Sequence, residues 1–480
     1  MRFLGSELHG KDKINPVACE MDRRNFLKKT GALLSLSLVG CTGLDRAVSQ
    51  GKQKPNIVLL VADDMNYREL SCYGSLWGTE TPHIDRLAEG GIRCTHAYVT
   101  APTCAPSRAG LMTGRYQTRF GYEFNSAIKE GVGLSLSEKT MAERLKPLGY
   151  YSGIIGKWHL GGGGKGVAEE YHPLNRGFDE FYGFFGSMVH FYRSAHIWKE
   201  WVKVRESEYL TDAIARESCD FIERNRDKPF FLYVPFNAVH TPLEAAPEDI
   251  EAVKHAGLKE NSKAHIRAAM LRGLDRAVGR ILQALSAAQL EENTLIFFIS
   301  DNGDYANQNR YFRGGKGWVS EGGIRVPFIV QWKDKLPAGK VYEEPMITLD
   351  ILPTAIAAAG GKVESAWNLD GVDLIPFFSS GQTSEIPHEW LYWRIGNERA
   401  ARHGKWKIYK NGGSGYGSRP DPANEDWALY DLSIDPTEIR DVKAENSVVF
   451  RQMLEHWNTW NSQLSEPGWP FGGSSQMEQL

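Results

Sequence analysis

Long apolar runs alternate along this chain with stretches in which apolar residues recur every three or four positions, and the two patterns predict different elements. Residues 56–62, 151–155, 230–235, 294–299 and 327–332 are continuous apolar runs, the pattern of strands buried on both faces of a largely parallel sheet. Helical spacing covers 138–148, 210–224, 264–285 and 349–359. This alternation predicts an α/β sandwich with helices between the strands.

After about Pro387 the texture changes. Residues 390–394, 398–402, 405–409 and 428–432 are short strand candidates, several of them aromatic-rich, and 447–464 has helical spacing. A small antiparallel sheet carrying one helix is expected there. The chain is therefore divided into a larger unit at 55–387 and a smaller C-terminal unit at 388–480.

At 480 residues with 42% hydrophobic and 24% charged content, the chain can bury one large core with an appended unit, which excludes a disordered or fibrous protein. The net charge is −3 and no long basic run appears, so the electrostatic footprint of a nucleic-acid binder is missing. Any anion must be held by local cations. The six cysteines lack a Cys-x-x-Cys pair or regular spacing, which argues against a zinc site or a disulfide framework.

The N-terminus reads as an address. Asp22-Arg23-Arg24-Asn25-Phe26-Leu27-Lys28-Lys29 precedes a short apolar run at 30–40, a twin-arginine pattern too short to span a bilayer. Leu38-Val39-Gly40-Cys41 is similar to a bacterial lipobox, with lipidation of Cys41 as the expectation and an ordinary secretory cleavage as the alternative. Residues 1–20 are then an upstream extension that is not translated, 21–41 the signal and 42–54 a polar tether. The expected location is the periplasm or cell surface of a bacterium.

Several apolar runs end in residues with chemistry. Residues 56–62 lead into Asp63-Asp64 and 294–299 lead through Ser300 into Asp301-Asn302, placing four hard donors at strand carboxyl ends. Calcium or magnesium suits such oxygens; zinc usually recruits histidine or thiolate. Two further runs lead to Lys157-Trp158-His159 and to His240, and Lys316 sits in Arg313-Gly-Gly-Lys-Gly. Cys104 opens Cys-Ala-Pro-Ser-Arg, with Arg108 one helical turn on and facing the same side. Taken singly, each has a bland explanation, such as a solvated strand end, a core histidine, a glycine turn, or a helix start with Pro106 in its first turn.

Their joint order is more specific. Cys-x-Pro-Ser-Arg at 104–108 resembles the modification signature of type I sulfatases, and Asp63, Asp64, Cys104, Arg108, Lys157, His159, His240, Asp301, Asn302 and Lys316 resemble that family's functional set in type and order. The resemblance spans roughly 55–332 and continues through Ala428-Leu-Tyr-Asp-Leu and Asp435-Pro-Thr-Glu. Asp304 is a minor departure that bears on the metal's surroundings.

The resemblance implies an alkaline-phosphatase-like α/β/α sandwich with a large mixed, mostly parallel sheet. It also implies oxidation of Cys104 to formylglycine by a maturation enzyme, and one calcium ion held by Asp63, Asp64, Asp301, Asn302 and residue 104. Lys157, Lys316 and Arg108 would add positive charge, Asp301 would orient or deprotonate the attacking hydroxyl, and His240, with Lys316, would protonate the leaving oxygen. His159 would take the proton whose loss expels sulfate and restores the aldehyde. With Cys104 and Cys41 modified and Cys19 untranslated, Cys72, Cys94 and Cys219 remain as buried thiols or at most one bridge.

Export favours a sulfated carbohydrate substrate over a small aryl sulfate. Tyr98, His172, His190, Tyr192, Trp393 and Arg394 are candidate substrate contacts, with structural roles as the alternative. Two rival functions stand beside this reading. One is a phosphatase, phosphodiesterase or phosphonate hydrolase of the same superfamily, against which the single Asp/Asn cluster counts. The other is a surface lipoprotein that binds sulfated glycans without turnover.

Overall fold

The strand Asn56–Ala62 lies inside the large sheet with all of its residues buried. Its side chains alternate between two cores. Val58, Leu60 and Ala62 share one with residues of the helices Leu210–Asn225 and Lys263–Ala287. Ile57, Leu59 and Val61 share the other with residues of Cys104–Thr113 and Ile351–Ala358. Helices cover both faces of one sheet, which is why its inner strands are apolar throughout. The molecule is thus an α/β/α sandwich. The computed structural model describes residues 54–125, 132–162, 166–254, 256–304, 311–379, 385–413 and 426–469. The expected export signal, Cys41 and the tether as far as residue 53 lie outside the described residues.

Ten described strands form the sheet, in the order Lys340–Tyr342, Ile92–Cys94, Phe328–Gln331, Thr294–Ser300, Asn56–Ala62, Phe230–Pro235, Tyr151–Lys157, Glu180–Phe184, Ile197–Lys199, Val202–Val204. Asn56–Ala62 is parallel to both neighbours, and Tyr151–Lys157 is parallel to both of its own. Phe328–Gln331 is antiparallel to both of its neighbours, so the sheet is mixed with a parallel centre. The strands without a sequence forecast are short and peripheral, where no long apolar run is required.

The helix expected at 138–148 begins later, as Met141–Leu145. A capping box sets its start: Thr140 accepts from the Glu143 amide, and Glu143 accepts from the Thr140 amide. Among the described cysteines, Cys72, Cys94, Cys104 and Cys219 are free, in line with thiols rather than a bridge.

Trp390–Ile395, Glu398–His403, Trp406–Lys410 and Ala428–Asp431 form a separate antiparallel sheet in chain order. Ala401, Ile408 and Leu429 pack on Met453 and Trp457 of the helix Ser447–Asn461. Trp393, Ala400, Tyr409 and Tyr430 form a second cluster with Tyr98, Val319, Ile324 and Val326. That second cluster joins the small sheet to the chain segment following Lys316.

Candidate active site

Parallel pairing aligns Ala62 with Ser300, so Asp63-Asp64 and Asp301-Asn302 leave adjacent strands side by side. The Asp301 amide donates to the Ala62 carbonyl at 3.1 Å, and the Asp64 amide donates to Asp301 Oδ1 at 3.1 Å. Asp64 takes a left-handed backbone, φ 59°, which an aspartate tolerates better than most residues. Asn302 Nδ2 donates to Asp64 Oδ1 at 2.6 Å, while Asn302 Oδ1 is buried without a hydrogen-bond partner.

Cys104 opens the helix Cys104–Thr113, every residue of which is buried. Its sulfur lies 3.4 Å from Asp63 Oδ1 and 3.6 Å from Asp64 Oδ1. From the next turn, Arg108 donates through Nε to Asp301 Oδ2 at 2.9 Å, with Nη2 2.7 Å from the same oxygen. Lys157, at the end of its strand, donates to Asp63 Oδ2 at 2.6 Å.

Lys316 closes the group. Its ammonium lies 2.8 and 2.9 Å from the Asp64 oxygens, 3.1 Å from Cys104 Sγ and 3.2 Å from His240 Nε2. His240 Nδ1 is 2.6 Å from the Thr241 carbonyl, a contact it makes only as a donor, which leaves Nε2 to accept from Lys316. His159 is buried with Nδ1 unpartnered and φ 54°.

The electrostatics follow from burial and the crowd of charges. Burial opposes ionisation of Asp63, but the Lys157 and Arg108 charges hold its pKa well below the usual carboxylate range. Burial and then the Asp63 charge push Asp301 up to about 7 despite Arg108. Burial together with neighbouring carboxylates raises the Cys104 thiol, so it is a poor nucleophile as encoded. Burial and then the Lys157 charge keep His159 neutral; burial also lowers His240, against the pull of Asp64.

Ligand atoms of Asp63, Asp64, Cys104 and His240 lie within 4.8 Å of one another. Buried carboxylates and the orphaned Asn302 oxygen fit a hard divalent cation. Asp304 is fully buried; its Oδ1 accepts from Asn66 at 3.3 Å and its carbonyl from the Lys316 amide at 2.8 Å.

A sulfatase family model matches residues 55–361. The chain belongs to the sulfatase family. It is 31% identical to arylsulfatase H of Canis lupus familiaris, over 84% of this chain and 90% of that protein. It is 34% identical to N-acetylgalactosamine-6-sulfatase of Sus scrofa, over 78% of this chain and 74% of that protein. The crystal structure of Ps i-CgsB in complex with k-i-k-neocarrahexaose is similar at 33% identity and TM-score 0.79, covering 88% of this chain and 96% of that one. These relatives are of the alkaline-phosphatase-like type, and the sulfatase is a sulfuric ester hydrolase.

The fold of this sulfatase brings together all ten residues of the expected functional set, but it corrects the outer contacts. Tyr98 and Trp393 are fully buried, donating to Glu321 Oε2 at 2.8 Å and to the Val99 carbonyl at 2.7 Å, so neither ring has a face for a sugar. His172 is buried, accepts from the Leu174 amide and stacks on Trp201 at 3.8 Å. Arg394 is engaged by Glu123, Asn461 and the Ser465 carbonyl. These four serve the fold. His190 and Tyr192 are exposed, His190 paired with Glu244 at 2.8 Å, four residues beyond His240.

Arg267 is the residue that sequence reasoning missed. From the helix Lys263–Ala287 it donates to the carbonyls of Asp64 and Val239 and to Glu69, bracing the segments that carry Asp64 and His240. The available signal was an arginine in line with Met270, Leu271 and Leu274 on the buried stripe of a helix.

Proposed function

We propose that this sulfatase hydrolyses sulfate monoesters on carbohydrates, with residue 104 as formylglycine and a calcium ion in the carboxylate cluster. The observation that carries the reading is the convergence of Cys104, Arg108, Lys157, Lys316 and His240 on buried carboxylates at the carboxyl ends of the inner strands. Asp63, Asp64, Asp301 and Asn302 would hold the cation, which as a Lewis acid would offset charge on a sulfate oxygen. Formylglycine, as its hydrate, would supply two hydroxyls on one carbon, one to attack sulfur and one whose deprotonation re-forms the aldehyde as the carbon–oxygen bond to the transferred sulfate breaks.

The chain's own residues do the rest. Lys157, Lys316 and Arg108 bind and orient the sulfate against electrostatic cost. Asp301, held by Arg108 beside the Cys104 position, orients the attacking hydroxyl. The Lys316 ammonium donating to His240 Nε2 makes these two a unit that delivers a proton to the leaving oxygen. His159, neutral with an unoccupied Nδ1, takes the proton that accompanies sulfate release.

A saccharide substrate is supported by the neocarrahexaose that a structural relative holds. His190 and Tyr192 are the exposed candidates for meeting it. Export through the twin-arginine region, lipidation at Cys41, the maturation enzyme and the division near residue 387 belong to the same proposal.

Mass spectrometry of the peptide containing residue 104, from protein made in its natural host, tests the reading together with a sulfate-release screen on sulfated oligosaccharides. An aldehyde or its hydrate with sulfate release supports it. An unmodified thiol, or phosphate esters hydrolysed faster than matched sulfate esters, refutes it.

A further inference from the structure

The Asp435-Pro-Thr-Glu stretch of the small sheet's unit lies outside the proposed reaction, yet its glutamate reaches the segment that carries Lys316. Glu438 Oε2 accepts from the Glu321 amide at 2.7 Å, at the first residue of the short helix Glu321–Ile324. Five residues beyond Lys316, this bond ties down one end of the segment. The other end is held as well: Arg313 Nη1 donates to Tyr430 Oη at 2.9 Å and to the Glu438 carbonyl at 3.2 Å. Glu438 therefore grips both sides of the lysine loop.

A buried lysine fastens the grip. Lys407, in the strand Trp406–Lys410, lies 2.8 Å from Glu438 Oε1 and 2.9 Å from Glu321 Oε1, and all three side chains are fully buried. Glu321 also accepts from Tyr98 at 2.8 Å and lies 3.4 Å from Arg325. A buried ion pair is weak evidence for stability, because desolvation offsets much of the attraction, but it enforces one geometry. Inside the loop there is no slack: a Cβ on Gly323 would sit 1.9 Å from the Trp318 carbonyl oxygen, and one on Gly322 would sit 2.4 Å from that of Arg313. The loop packs closely on itself, a route by which a displacement at Glu321 would reach Lys316.

We propose that Glu438 and Lys407 are positioning residues for Lys316, so that the small sheet acts as part of the active site without touching substrate. The proposal rests on the reading of Lys316 as part of the proton-delivering pair. It gives the C-terminal sheet a catalytic purpose beyond covering apolar surface.

A double-mutant cycle tests it, using as the probe an unactivated sugar sulfate from which the wild type releases sulfate, because its alkoxide leaving group needs the proton. Glu438→Ala and Lys407→Met are each expected to lower kcat by roughly 10- to 100-fold with KM within about 2-fold, as a small misplacement of a catalytic group does. In a Lys316→Ala background the same substitutions are expected to cost nothing further, since the group they position is gone. Tyr430→Phe removes only the hydroxyl that holds Arg313 and serves if the charge variants fail to fold; it should show a smaller loss with the same dependence on Lys316. Equal fold-losses with and without Lys316, or losses matching the unfolded fraction, would overturn the proposal. Hydrogen exchange followed by mass spectrometry separates its failure from failure of the sulfatase reading. Faster exchange confined to 313–324 in Glu438→Ala supports the clamp whatever the substrate, and unchanged exchange there refutes it.

Discussion

Lys316 and Cys104 stand 212 residues apart in sequence, yet the ammonium lies 3.1 Å from the sulfur. The same ammonium touches Asp64 and His240, so one side chain links the position of the proposed nucleophile to that of the proposed acid.

Cys104→Ala should lower sulfate release by more than about 10³-fold with little loss of stability, because no neighbouring side chain can replace the proposed nucleophile at 104. The comparison is initial rate against melting temperature in one preparation. Wild-type rates would remove residue 104 from the chemistry.

His240→Ala should slow hydrolysis of unactivated sugar sulfates by on the order of 10² to 10⁴. For p-nitrophenyl sulfate, whose leaving group needs little protonation, the loss should be much smaller. Equal losses on both substrates would assign His240 to binding instead of proton delivery.

Chelation should abolish most activity and lower the melting temperature by on the order of 5 °C, with calcium restoring both. The buried carboxylates of Asp63 and Asp64 are the groups that then lose their counter-ion. Unchanged activity and melting after exhaustive chelation would contradict a cation in this cluster.

His388 sets a pH dependence away from the active site. Burial lowers its pKa, but the Asp350 carboxylate 2.7 Å away and their hydrogen bond raise it overall above the ordinary 6.5. A histidine that binds its proton more tightly when folded stabilises fully below its unfolded pKa, and that contribution is lost as pH rises through the folded value. The stability gap between wild type and His388→Gln should therefore be widest below about pH 6.5 and narrow above it. A gap independent of pH would show that packing, not charge, is the source.

Much of the architecture was legible because burial on both faces writes itself into sequence. The strand expected at 56–62 appears as Asn56–Ala62, and the helix expected at 210–224 as Leu210–Asn225, since long apolar or periodic segments admit few alternatives. Short peripheral strands such as Ile92–Cys94 carry too few residues for a pattern, and their pairing is set by neighbours distant in sequence. Helix ends needed local chemistry, as Thr140 and Glu143 show.

For the site, the likeness to sulfatases in residue type and order picked out ten residues that the fold then gathers, because strand ends and one helix start carry them in a fixed order along the chain. Side-chain direction was another matter. Tyr98, His172 and Trp393 carry the same rings whether they face a sugar or a core, and only the packed structure turns them inward. Arg267, Glu438 and Lys407 look like ordinary charges in the chain, yet burial beside particular backbone groups gives them their work. Composition and periodicity act within a few residues and so can be read along the chain. Which distant groups meet depends on strand order, register and the closing of both cores, and that exists only once the chain has folded.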